Sequence, residues 1–100
     1  MNDENEIGKS WVVVRTQNAG VFAGTLESRT GEEAVLSGAI RLWFWSGAAS
    51  LSQLATEGVK NPSSCKFGVP ISVTVRGVIE VIETTPEARA NIESVPSWRA

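Results

Sequence analysis

Between Trp11 and Trp45 one arrangement recurs: an apolar run rich in β-branched and aromatic residues, then a short polar connection carrying glycine. Such runs favour extended backbone, because branching at Cβ stiffens χ1 and packs well on a pleated surface. Connections of a few residues cannot carry a chain across a sheet to a parallel neighbour, so successive strands must be antiparallel. The expected strands are residues 11–16, 21–28, 33–37 and 39–45, with turns at 17–20 and 30–31 and a break at Gly38. Gly24, in mid-strand, marks a bend or a close backbone approach.

The pattern changes after Trp45. Ser50-Leu51-Ser52-Gln53 fits a capping box, in which serine and glutamine each satisfy a backbone N–H left open at a helix start. Leu51, Leu54 and Ala55 then follow helical spacing, and Gly58 is a stop. Residues 70–83 alternate at Ile71, Val73 and Val75. Their β-branched content favours strand, with one strand, two strands or part helix left open. Thr85-Pro86 starts a final helix with threonine at the N-cap and proline at N1. Ile92 and Val95 face the core, Pro96 ends the helix, and residues 97–99 form a terminal arm. The expected fold class is α+β, mainly antiparallel β as a small bent barrel or meander, with two short helices. Residues 1–9 read as a flexible tail and 10–100 as a single strand-rich domain.

Missing residue types narrow the function. The 100-residue chain has no histidine and no tyrosine, Asp3 is its only aspartate, and Cys65 its only cysteine. Histidine-dependent acid–base catalysis, nucleophile–histidine arrangements and histidine metal sites are all excluded by composition. No glycine-rich phosphate loop has a recognised spacing. The expectation is a binding protein, not an enzyme, with no cofactor. A net charge of −2 gives no whole-surface attraction to nucleic acid or anionic lipid, although a local basic patch remains compatible with it. No apolar stretch approaches the length of a spanning helix and no secretory signal precedes the strands, so the expected location is cytoplasmic, with no membrane partner.

The segment Ala39-Ile40-Arg41-Leu42-Trp43-Phe44-Trp45 is the most unusual. Strand alternation puts Ile40, Leu42 and Phe44 on one face and Arg41, Trp43 and Trp45 on the other, so both faces carry large apolar groups. Something must cover the tryptophans. A helix or Trp98 of the same chain is one cover and a second subunit is another. The third is a flat, anionic ligand, with indoles stacking and Arg41 holding a phosphate. Trp11 and Arg15 share a face of the first strand and would extend this surface if the faces are continuous. Cys65 reads as an apolar filler.

Two resemblances follow from these residues. The order V-x-V-x-T, then G-V-F-A-G-T-L-E-S, a Thr-Gly turn and V-L-S-G-A-I-R-L, with Val75-Arg76-Gly77-Val78 later, resembles an Sm-like, SH3-like small barrel. That likeness implies rings and nucleic-acid binding. The family's RNA-contacting aspartate and asparagine have no counterparts at Thr30-Gly31-Glu32-Glu33. Residues 11–16, 39–55 and Ser94-Val95-Pro96-Ser97-Trp98 together resemble small bacteriophage and prophage proteins of unknown function. This second likeness implies a viral accessory protein acting by stoichiometric binding. The expected role is a homo-oligomeric counter-defence (anti-defence) protein that captures a nucleotide-like signal or blocks a host defence protein, in the infected bacterial cytoplasm. A nucleic-acid binder and a virion structural protein are the alternatives. Arg41, Trp43 and Trp45 are the lead contact residues, followed by Arg15 and Trp11.

Overall fold

The computed structural model describes residues 9–100. Of the expected tail, residues 1–8 lie outside the described residues. The elements in chain order are β1 (Trp11–Thr16), β2 (Val21–Thr30), β3 (Glu33–Phe44), α1 (Leu51–Glu57), a 3₁₀ turn (Pro62–Ser64), β4 (Lys66–Phe67), β5 (Ile71–Val75), β6 (Val78–Glu83) and α2 (Pro86–Ser94). This is an α+β fold, mainly antiparallel sheet with two short helices.

The sheet runs β4-β3-β2-β1-β6, and β5 pairs with the first half of β3 on the edge that β4 uses further along. Residues 70–83 therefore resolve into two strands, split at Arg76-Gly77, where Gly77 has φ +72°. Their placement dictates curvature. β5 lies beyond β3 and β6 beyond β1, which would set them about 19 Å apart in a flat sheet. The two-residue link between them spans at most about 11 Å. The sheet must curl until these edges approach. Among the described residues no ladder joins β5 to β6, so closure by strand pairing is not found.

The break expected at Gly38 does not occur. β3 continues through it, because Gly38 adopts φ +56° and forms a bulge. The register against β2 passes from Ala23↔Ile40 to Thr25↔Ser37, and against β5 from Leu36↔Val73 to Ala39↔Ile71. One extra residue reverses side-chain parity. Ala34, Leu36 and Ala39 therefore share one face, while Ile40 and Leu42 turn to the other. Gly24 sits opposite the bulge, where a Cβ would lie 2.8 Å from Ala39 Cα.

Two apolar clusters result, one on each face. The first packs Trp11, Val13, Ala23, Ile40, Leu42 and Phe67 under Leu54 and Ala55 of α1 and Ile92 of α2. The second is built by strands alone: Val12, Val14, Phe22, Ala34, Leu36, Ala39, Val75 and Val78 fill the concave side of the curl. Burial on both faces explains why β1 reads as an unbroken apolar run instead of alternating.

Both helices are capped as the sequence predicts. Ser50 Oγ accepts from Gln53 N at 3.1 Å, although the glutamine side chain reaches back to Ala49 N, one residue before the N-cap. Thr85 Oγ1 accepts from Ala88 N at 3.0 Å. Asn91 of α2 brackets the peptide groups of buried Val59: its Oδ1 accepts from Val59 N at 2.7 Å and its Nδ2 donates to Val59 O at 3.0 Å. That pair ties the end of the α1 region to α2.

Candidate functional site

The β1–β2 hairpin places one wall of an open groove. Thr16 is the one buried polar residue of the described sheet, and its hydroxyl is fully used. It donates to Gly20 O at 2.8 Å and accepts from Ala19 N at 2.8 Å. Gln17 N also donates to Gly77 O at 2.8 Å, which fastens the hairpin to the β5–β6 turn. Between them lies a groove of about 590 Å³, lined by Asn18, Phe22, Arg41, Val73, Thr74 and Arg76 among others.

Arg41 is the chemical centre of this groove. β2–β3 pairing sets it directly opposite Phe22. Its guanidinium carbon lies 4.6 Å from the Phe22 ring centre and 5.3 Å from that of Trp43. A cation over aromatic faces is held electrostatically by the ring quadrupoles. Arg41 Nε is nevertheless buried without a hydrogen-bond partner among the described residues. A buried donor left open is costly, and an incoming anion or carbonyl oxygen would relieve it. Arg76 stands at the rim, with its Nε 3.4 Å from Glu33. The groove thus offers a planar cation on an aromatic floor, apolar valine walls and the polar ends of Asn18 and Thr74.

Of the five sequence candidates, the structure brings only Arg41 and Trp43 into contact. Trp43 projects outward, 58% exposed. Trp45 lies beyond the end of β3 and packs against the helix-side cluster, apart from the face expected for it. Trp11 is buried in that same cluster, with the Arg89 guanidinium 5.4 Å from its ring. Arg15, exposed on the Trp11 side of β1, pairs with Glu80 at 3.2 Å. The surface of three indoles and two guanidiniums that a continuous face would create is therefore not assembled.

Phe22, Asn18, Thr74 and Arg76 line the site without having been singled out by sequence. Strand register alone sets Phe22 against Arg41, and no local pattern carries that information. Trp98 does reach Trp43, edge to face with ring centres 6.5 Å apart, but both rings remain half exposed. Cys65 is buried, with Sγ 3.4 Å from both Ser46 N and Asn61 O. No group of three or more potential metal ligands exists among the described residues, and no helix of theirs is long and apolar enough to cross a membrane.

These features define a small, curled antiparallel α+β domain with an arginine-centred groove at the mouth of its strand-built core. Residues 9–92 match the family model DUF6948, a domain of unknown function, and the chain belongs to that family. No curated protein and no solved structure matches the chain.

Proposed function

We propose that the protein works by stoichiometric binding, not by catalysis, and that the Arg41 groove captures a small molecule with a flat ring and an anionic group. A nucleotide-like signal has that chemistry. One observation carries this reading: Arg41 lies on Phe22 with a buried, unpartnered Nε–H at an open groove. An oxyanion would satisfy the guanidinium, and Val73 and Val75 would flank the ring.

The resemblance to small phage proteins supports a setting in an infected bacterial cytoplasm, where such capture would silence a host defence signal. Among the described residues the outer edges of β5 and β6 have no strand partner, which supports a homo-oligomer, since open strand edges recruit further strands. Strand order and curl also favour an Sm-like or SH3-like small barrel as the architectural reading, with the sheet left open between β5 and β6.

Native mass spectrometry of the protein with a panel of mono-, di- and cyclic nucleotides tests the capture reading. The expected result is a stoichiometric, unmodified adduct that Arg41→Met abolishes. No adduct at millimolar ligand, or one that survives Arg41→Met, would overturn it.

A further inference from the structure

Beside the groove, and sharing Arg41 with it, the end of β3 carries exposed aromatic rings that the capture reading does not use. Trp98 is held there by backbone. Ser97 forms a parallel bridge to Phe67, and Trp98 N donates to Phe67 O at 2.8 Å. The terminal arm thus acts as an extra edge segment beside β4, and it presents the Trp98 indole next to Trp43. Lys66, the other residue of β4, puts its ammonium 5.2 Å from the Trp98 ring centre. On the other side of the indole pair, Arg41 touches Trp43. Arg99 follows directly in sequence.

Charge is sharply segregated around this patch. Residues 34–56 and 58–79 contain no aspartate or glutamate. The acids of the described sheet cluster elsewhere, as Glu27, Glu32 and Glu33 around the β2–β3 hairpin and Glu80 and Glu83 on β6. Arg41, Lys66 and Arg99 form no ion pair with a carboxylate among the described residues, whereas Arg15, Arg76 and Arg89 each do. A near-neutral molecule therefore keeps one end cationic, with two indoles half exposed between unpaired cations.

We propose that the Trp43–Trp98 face binds single-stranded nucleic acid, with bases stacking on the two indoles and phosphates meeting Lys66, Arg99 and the open side of Arg41. Two observations select this partner over an apolar surface. Cations lie against the rings themselves, which matches a chain whose rings alternate with anions. The two stretches that supply Arg41, Trp43 and Lys66, residues 34–56 and 58–79, also lack any carboxylate that would repel a phosphate backbone. Stacking is tolerant of base identity, so binding should show weak sequence preference. The site is distinct from the Thr30–Glu33 hairpin, which lies at the other end of β3.

Fluorescence anisotropy with labelled 12-nucleotide oligo-dT and mixed-sequence RNA tests the proposal, with salt varied. Trp98→Ala is the primary variant, because Trp98 lies on an exposed arm outside both apolar clusters. It should weaken binding by roughly ten-fold or more. Wild-type affinity should fall with log salt at a slope of about −2 for three neutralised phosphates, and Lys66→Glu should make that slope shallower by about 0.7. Thermal melts confirm that both variants fold. Absence of binding at low salt would overturn the proposal, as would binding unchanged in Trp98→Ala. Retention on anionic vesicles, or Trp98-dependent self-association by sedimentation, without oligonucleotide binding would also overturn it. Arg41 stays intact in both variants, so small-molecule capture in the groove stands or falls separately.

Discussion

Replacing Arg41 with methionine separates a ligand-binding arginine from a structural one. Methionine keeps the length and the apolar stem that lies against Phe22, and its sulfur is compatible with an aromatic neighbour. The substitution removes a buried Nε–H without a partner, which costs the ligand-free fold about 1–3 kcal/mol. It also removes two cation–ring contacts, at 4.6 and 5.3 Å, each contributing about 0.5–1 kcal/mol at a half-exposed position. The two effects largely cancel. Ligand-free stability should change by less than about 1.5 kcal/mol, a Tm shift under about 10 °C for a domain this size. Phe22→Ala, which empties a fully buried position beneath it, should cost about 3–5 kcal/mol. Urea unfolding with unchanged m values reads both numbers. A loss above about 2.5 kcal/mol for Arg41→Met would refute the reasoning. The stack on Phe22 and Trp43 would then be holding the fold together, and the open Nε–H would not point to a ligand.

Three further outcomes follow from particular contacts. Gly24→Ala should destabilise by about 1–2 kcal/mol in the same assay, because the new Cβ would meet Ala39 Cα at 2.8 Å and overpacking outweighs the entropic gain over glycine. Asn91→Ala should cost about 2–4 kcal/mol, since both peptide groups of Val59 lose their partners where water does not reach; a loss under 0.5 kcal/mol, by the estimate for exposed sites, would show that solvent substitutes there. Hydrogen bonds from Lys9 and then Ser37 hold the Glu27 carboxyl below its ordinary value of 4.5. Its contribution is thus present above that pH and fades as pH falls through the lowered value, and Glu27→Gln should flatten this part of an acid-unfolding profile.

Local chemistry was readable wherever a signal and its consequence lie within a few residues. Ser50 and Thr85 cap the helices they announce, Gly58 ends α1 at φ +79°, and Ile92 and Val95 are buried as their spacing requires. Residues 70–83 stayed open because β-branched content favours extended backbone without saying where it turns. The Gly77 turn and the separation of β5 and β6 onto opposite edges settle that. Gly38 misled for a related reason: a glycine at positive φ can end a strand or bulge it, and only the partners on both sides decide.

The unusual β3 segment shows the same division at the level of function. Its composition identified Arg41 and Trp43 as residues needing an explanation. Alternation could not separate Trp45 from them, because the strand ends at Phe44 and the indole packs against the helix-side cluster.

The antiparallel pairing of β1, β2 and β3, the two helices and the lack of histidine were determined by the sequence itself, because turn length, caps and residue inventory are local properties. Tertiary structure alone decided that Phe22 would lie under Arg41, that one guanidinium N–H would be buried without a partner among the described residues, and that Lys66 and Arg41 would each lie against an exposed indole. Those outcomes depend on register and curl, which bring residues far apart in the chain within contact distance.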